Sequence, residues 1–247
     1  MVINEIFYSL QGEGFLAGVP SVFVRLAGCP LRCRWCDTKY AWDAMAGEDS
    51  GVAEIVRAVK KWPCRHIVIT GGEPMIDAEL PKLTRELKVA DKHITIETAG
   101  IAYIPDMPCD LMSISPKLSN STPAVEDRRR KSVIGSLSPT PVVGAGRTDV
   151  AGQWFSGPDI AVLRELINNY DYQLKFVVDS QDDIAEIQET LGRLGNVDAQ
   201  KVMLMPQAAT RDELLSKSTM VADLCKSTGF AFSHRLQVLL WNGRRGV

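Results

Sequence analysis

No stretch of this 247-residue chain approaches the roughly 20 consecutive apolar residues that a bilayer-spanning helix needs, so a membrane helix is excluded. Charge of one sign is missing too. Its 28 Lys and Arg against 30 Asp and Glu leave −2, so no global positive field draws the chain onto nucleic acid or an anionic membrane. Met1 to Glu5 lacks the basic-then-apolar order of a secretory leader, and a cytoplasmic setting is the expectation. Internal repeats and low-complexity tracts are absent, and 45% hydrophobic with 23% charged residues is ordinary globular composition, which rules out disorder. Small-molecule partners remain favoured, with no nucleic acid and no membrane.

What is present is alternation. Residues 22–27, 66–70, 93–97, 111–115, 173–178, 202–205 and 229–233 read as short strands, and 51–61, 77–89, 159–169, 181–192 and 210–227 carry apolar residues at helical spacing. Repeated strand and helix imply a parallel sheet covered by helices, and this number of strands predicts an α/β fold in the form of an incomplete, TIM-like barrel. A single domain spanning 1–247 is expected, because one α/β barrel commonly fills about 250 residues. Cys29, Thr70 to Glu73, Glu97, Ser115 to Lys117, Lys175, Gln207 and His234 fall at or just after strand C-termini, the active-site rim of such folds. The rhythm breaks between 119 and 158, a stretch rich in Ser, Pro, Gly and charge, with a basic run at 128–131; a lid, a dimer contact and a disordered excursion all fit it.

Six cysteines are unevenly spread, and three of them, Cys29, Cys33 and Cys36, share one loop at x3 and x2 spacing. A chain this long buries an adequate core without disulfide staples, so metal or redox chemistry is the better reading. A structural zinc site would want a fourth Cys or His within reach, and Cys64, Cys109, Cys225 and the three histidines are scattered. Three thiolates on a four-iron cluster leave one iron open to a substrate or cofactor, unlike the four-cysteine pattern of electron-transfer ferredoxins. The three remaining cysteines read as small buried hydrophobes.

The C-x3-C-x2-C loop followed by Asp37-Thr38, together with Thr70-Gly71-Gly72-Glu73-Pro74 after the next strand, resembles the radical S-adenosylmethionine (SAM) superfamily. Within it, Ser9 to Gly14 (SLQGEG), Arg25, the residues CDTKY after the cluster loop and Ser115-Pro116-Lys117 resemble the 7-carboxy-7-deazaguanine synthase family of the queuosine pathway, and the resemblance runs over nearly the whole chain apart from 119–158.

That resemblance implies a 4Fe-4S cluster on Cys29, Cys33 and Cys36, SAM chelated to the open iron, and a 5′-deoxyadenosyl radical formed by one-electron reduction. It implies SAM contacts from Gly72, Glu73, Ser115, Pro116 and Lys117, and from Met205, Pro206, Gln207 and Ala208, with Gln207 on the adenine side. Gly71 and Gly72 let backbone approach without a Cβ in the way, and Glu73 offers an acceptor for the methionine ammonium. The implied substrate is 6-carboxy-5,6,7,8-tetrahydropterin, whose ring contracts with loss of ammonia, SAM being regenerated. Leu10, Gln11, Gly12 and Thr70 are its implied contacts, Arg25 the bidentate partner of its carboxylate, and Val247 a candidate from the C-terminal tail. Thr38 is the implied Mg²⁺ ligand, with Asp37 either a second ligand or a hydrogen-bonding partner in the loop. A homodimer and a flavodoxin-like or other one-electron reductant complete the implied partners. No general-base dyad is evident, and Glu97 and His234 are rim groups able to move protons or orient substrate.

Two other readings share the cysteine loop: an activating enzyme that makes a glycyl radical on a partner protein, and a non-catalytic zinc module. Arg25 and the Leu10-to-Gly14 motif favour a small substrate.

Overall fold

The computed structural model describes residues 1–122 and 157–247; the basic run at 128–131 and most of the expected excursion lie outside the described residues. Among the described residues nine strands form one sheet: β1 (Val2–Leu10), β2 (Pro20–Leu26), β3 (Glu48–Asp49), β4 (His66–Gly71), β5 (His93–Thr98), β6 (Leu111–Ile114), β7 (Tyr172–Val178), β8 (Val202–Pro206) and β9 (Ala231–Phe232). Their order is β3-β1-β2-β4-β5-β6-β7-β8-β9, and every pairing from β2 to β9 is parallel. The sheet is a partial barrel, as its alternating sequence predicts, with β1 and β3 adding an antiparallel margin to β2.

Helices α1 (Val52–Val59), α2 (Leu80–Val89), α3 (Ile160–Asn169), α4 (Asp183–Leu194), α5 (Arg211–Thr228) and α6 (Leu236–Trp241) accompany it. Side-chain oxygens set several of their starts. Asp159 accepts from the Ala161 and Val162 amides at α3, and Thr210 and Glu213 form a reciprocal capping box at α5, which ends at Gly229 in the left-handed region.

The two-residue period of each parallel strand divides core from cavity. On β7, Tyr172, Leu174, Phe176 and Val178 enter the hydrophobic core, while Lys175 and Val177 face a central cavity. β2 does the same with Val22, Val24 and Leu26 against Phe23 and Arg25, and β4 with Ile67 and Ile69 against Thr70. Packing of the apolar face is the main driving force, at about 25 cal/mol per Å² of apolar surface removed from water. The polar residues are thereby left on the concave side.

Several elements depart from the sequence expectation, among them the two-residue β3, which was not expected. β1 was not expected: Asn4 and Glu5 interrupt its alternation, and the register with β2 shifts between Ile3 and Glu5. The final strand, expected over 229–233, shrinks to Ala231–Phe232, and the expected tail beyond it contains α6. The helix expected from 77 begins at Leu80, after the short 3-10 turn of Pro74–Ile76. Cys64 and Cys225 are buried and Cys109 is partly so, packed against the core, in keeping with their reading as small hydrophobes. Among the described residues no helix is long and apolar enough to cross a membrane.

Candidate active site

A cavity of about 410 Å³ opens at the C-terminal ends of the parallel strands, a volume typical of small-molecule sites. Cys29, Cys33 and Cys36 line it from the loop after β2. Burial pushes the Cys29 thiol up to about 12 and the Cys33 thiol upward, and the neighbouring thiols add to both shifts. Such thiols ionise only against a strong positive partner, which iron supplies. Among the described residues no three His, Cys, Asp or Glu converge on a point able to hold a single ion. The loop is braced by Arg32, whose guanidinium donates to the Cys29 carbonyl and lies 5.3 Å from the Trp42 ring centroid.

The glycine motif after β4 is stitched to this loop. The Gly72 amide donates to the Leu26 carbonyl at 2.9 Å and the Glu73 amide to the Gly28 carbonyl at 2.8 Å. Gly71 has φ +136°, and a Cβ on Gly71 or Gly72 would overlap the backbone of Leu26 or Gly28. Glu73 is buried. Its carboxylate accepts from the Thr98 hydroxyl (2.6 Å), the Met75 amide (3.1 Å) and the Ala99 amide (2.8 Å), so it clamps the loop to the end of β5 while still facing the cavity. Burial raises its pKa, and the three donors oppose that shift.

Ser115 and Lys117 line the next sector, after β6. The Lys117 ammonium donates to the Ser115 carbonyl (2.8 Å) and hydroxyl (2.9 Å) and sits 5.3 Å from the Trp35 ring centroid, so it is held at the site and is no solvated loop lysine. Met205 on β8 and Gln207 and Ala208 just past it line the wall. Gln207 Oε1 accepts from Lys217 at 2.8 Å, Lys217 donates to Asp179 at 2.5 Å, and Asp179 accepts from Arg34 of the cysteine loop at 3.1 Å. Pro116 and Pro206 belong to the same turns but do not line the cavity; they shape its backbone.

Leu10, Gln11, Gly12, Arg25, Thr70 and Val247 line the cavity as well. Arg25 already has a partner. Its Nε donates to Glu5 at 2.8 Å, which explains how a guanidinium stands in an apolar strand. Gln11 is buried and committed to the protein, donating to Glu97 at 3.1 Å and accepting from the Glu13 amide at 3.1 Å. Thr38 lines the cavity with its hydroxyl 3.5 Å from Cys36 Sγ and makes no capping bond, so helix capping does not occupy it. Asp37 accepts from Arg235 at 2.7 Å, a partner outside the cysteine loop, where a hydrogen bond within the loop or a metal ligand was expected. Two rim expectations separate: Glu97 lines the cavity, whereas His234 is exposed, packs edge-on against Phe232 and stands outside it. His234 sits where β9 has already ended, so its side chain leaves the concave face.

The centre of the floor is a charge cluster that sequence reading did not assemble. Glu13 accepts from Lys175 (2.9 Å), Gln237 (2.7 Å) and Arg235 (3.3 Å). Burial disfavours its charge, but Lys175 and Arg235 hold its pKa down at about 2. Burial likewise opposes the Lys175 charge, and Glu13 and Glu97 overcome it and raise its pKa. The signal available was the lone lysine inside the run QLKFVV, which demands a buried anion. Arg235, Gln237 and the tail residues Gly243 to Gly246 gave no such signal, because only tertiary folding brings them over the site, whereas Val247 was expected there from the resemblance.

The comparisons agree with this geometry. A family model described as the radical SAM superfamily matches residues 24–132. A 7-carboxy-7-deazaguanine synthase of Halobacterium salinarum is 38% identical over 97% of this chain and 90% of its own length, and one of Rhodopirellula baltica is 36% identical over 100% and 89%. The crystal structure of QueE from Escherichia coli superimposes with a TM-score of 0.66 at 26% identity, covering 94% of this chain and 92% of that one.

Proposed function

Because the chain belongs to the 7-carboxy-7-deazaguanine synthases of the radical SAM superfamily, a family of enzymes that use a 4Fe-4S cluster and SAM, we propose that its cavity converts 6-carboxy-5,6,7,8-tetrahydropterin to 7-carboxy-7-deazaguanine with loss of ammonia. The observation that carries this reading is one cavity lined at once by three cysteines, a glycine motif stitched to their loop, and an arginine whose outer nitrogens make no hydrogen bond among the described residues.

When bound, the cluster and SAM supply one-electron chemistry and a group that abstracts hydrogen. The chain's own residues do the rest. Cys29, Cys33 and Cys36 would hold the cluster. The backbone at Gly72, the free acceptor capacity of Glu73, and Ser115 with Lys117 would receive the methionine and ribose portions of SAM, and Gln207, its carbonyl pinned by Lys217, would turn its amide NH₂ to the adenine. Arg25 would take the substrate carboxylate on Nη1 and Nη2, while Gln11, Gly12 and Thr70 meet the pterin edge. The Glu13–Lys175–Glu97 cluster fixes Gln11 and keeps that wall rigid, as positioning of a reactive hydrogen requires. Thr38 would contribute a hydroxyl to Mg²⁺ beside substrate oxygens and waters. An external one-electron reductant of the flavodoxin type, a homodimer and a cytoplasmic setting complete the reading.

The test is anaerobic turnover of reconstituted, reduced protein with SAM, Mg²⁺ and 6-carboxytetrahydropterin, followed by mass spectrometry. 7-Carboxy-7-deazaguanine is expected and disappears in Cys33→Ala. Formation of 5′-deoxyadenosine without deazaguanine would overturn the substrate, and failure to assemble a cluster would overturn the cofactor assignment.

A further inference from the structure

Beside Arg25, which lines the cavity, stands a carboxylate that the proposed chemistry does not use. Glu5, on β1, divides its two oxygens between two guanidinium groups: Oε1 accepts from Arg25 Nε at 2.8 Å, and Oε2 accepts from Arg245 Nε at 2.8 Å. The Tyr40 hydroxyl donates a third bond to Oε1 at 3.1 Å. Arg245 also donates to Asn4 Oδ1 at 2.9 Å, and its guanidinium carbon lies 4.0 Å from the Tyr40 ring centroid. Burial works against the Glu5 charge, but Arg245 and Arg25 hold its pKa below the usual carboxylate value.

Arg25 is thereby pinned on one edge only. The rings of Phe7 and Tyr40 flank it at 5.7 and 5.9 Å, and among the described residues its terminal nitrogens make no hydrogen bond. The Nε edge is spent on Glu5, so the outer Nη1/Nη2 fork stays available to a second carboxylate. Charge completes the logic. A single carboxylate paired with Arg25 alone would cancel the attraction for an anionic substrate, whereas one carboxylate shared by two guanidinium groups leaves the trio at net +1. Arg245 therefore supplies the charge that Glu5 removes, and the same bond lays the segment Gly243 to Val247 along the cavity wall.

We infer that Glu5 is a positioning residue for the reaction: it orients Arg25 toward the substrate carboxylate and, through Arg245, closes the segment 243–247 over the bound substrate. This rests on the reading that Arg25 holds that carboxylate. Side-chain exposures of 14% for Glu5 and 13% for Arg25, against 51% for Arg245, make the first two largely buried and leave the third half exposed.

The experiment uses reconstituted holoenzyme with Glu5→Gln, Arg245→Ala and Arg25→Gln. The probes are 6-carboxytetrahydropterin as substrate and tetrahydropterin, which lacks the carboxylate, as competitive inhibitor. Glu5→Gln is expected to raise KM about tenfold or more with kcat within about threefold, to leave the inhibitor constant of tetrahydropterin unchanged, and to speed amide exchange across 243–247. Arg245→Ala is expected to act in the same direction on both readouts. If Arg25→Gln raises KM for the carboxylated pterin alone but Glu5→Gln does not, the inference about Glu5 is wrong while the role of Arg25 stands. If Arg25→Gln weakens both pterins equally, the role of Arg25 has failed and the inference falls with it. Equal weakening of both pterins by Glu5→Gln would mark a merely structural residue and overturn the proposal. Should Glu5→Gln fail to fold, Arg245→Ala decides alone, because its side chain is half exposed: unchanged KM and unchanged exchange would refute the latch.

Discussion

The amide of Glu73 donates to the carbonyl of Gly28 at 2.8 Å, so the glycine motif after β4 and the cysteine loop after β2 share backbone hydrogen bonds as well as a cavity. The neighbouring Gly72 lies so close to the same carbonyl that no Cβ fits between them. The loop that would carry the cluster and the loop that would receive SAM thus form one unit.

Gly72→Ala tests that unit. The added methyl meets backbone and not a flexible side chain, so the cysteine loop has to move. Displacement of the order of 1 Å costs roughly a hundredfold in turnover. Iron content after reconstitution and 5′-deoxyadenosine formation measure the outcome, and near-normal values for both would show that the two loops move independently.

Glu73→Gln is nearly isosteric but replaces one acceptor oxygen with an NH₂ group among three donors. A buried donor facing donors costs about 1 to 3 kcal/mol, so the variant is expected to unfold at lower denaturant and to bind SAM less tightly. Equilibrium urea unfolding and SAM titration report the two effects separately.

Glu13 makes a pH-dependent prediction. Its folded pKa of about 2 lies below the ordinary carboxylate value, so the stability it contributes is fully present above about pH 4.5 and is lost as pH falls toward 2. The loss amounts to roughly 3 kcal/mol at most. Glu13→Gln is expected to be destabilised at pH 7, because Lys175 and Arg235 lose their shared anion, and to show a shallower decline between pH 5 and 3. Urea unfolding across that range checks it, and parallel curves for the two proteins would rule the assignment out.

Lys217→Ala probes the adenine side. Without the ammonium that holds Gln207 Oε1 at 2.8 Å, the amide rotates freely and the KM for SAM is expected to rise a few-fold, on the order of one lost hydrogen-bond orientation. The KM for the pterin is expected to stay constant. A change confined to the pterin would place Gln207 in the other half of the cavity.

The residues expected to bind SAM and substrate were named from the family resemblance; those after β4, β6 and β8 also follow strands whose alternation is plain, and a parallel α/β sheet puts every such loop on one rim. Of those expected contacts, only Pro116 and Pro206 miss the cavity wall, since each spends its ring on turn geometry. His234 misled for a local reason, its strand ending two residues earlier. β1 escaped detection because Asn4 and Glu5 break its period, and those same polar residues hold the Arg245 latch.

By itself, then, the sequence determined the strand and helix rhythm, the three-thiol loop and the glycine motif, all of which depend on neighbours a few residues apart. Tertiary structure alone decided the pairing of Glu13 with Lys175 and Arg235, and of Glu5 with Arg25 and Arg245, across as many as 240 residues. The physical reason is burial. A charge withdrawn from water requires a partner wherever the chain can supply one, and that partner is set by which strand ends and tail the folded sheet brings together, a relation that no local spacing records.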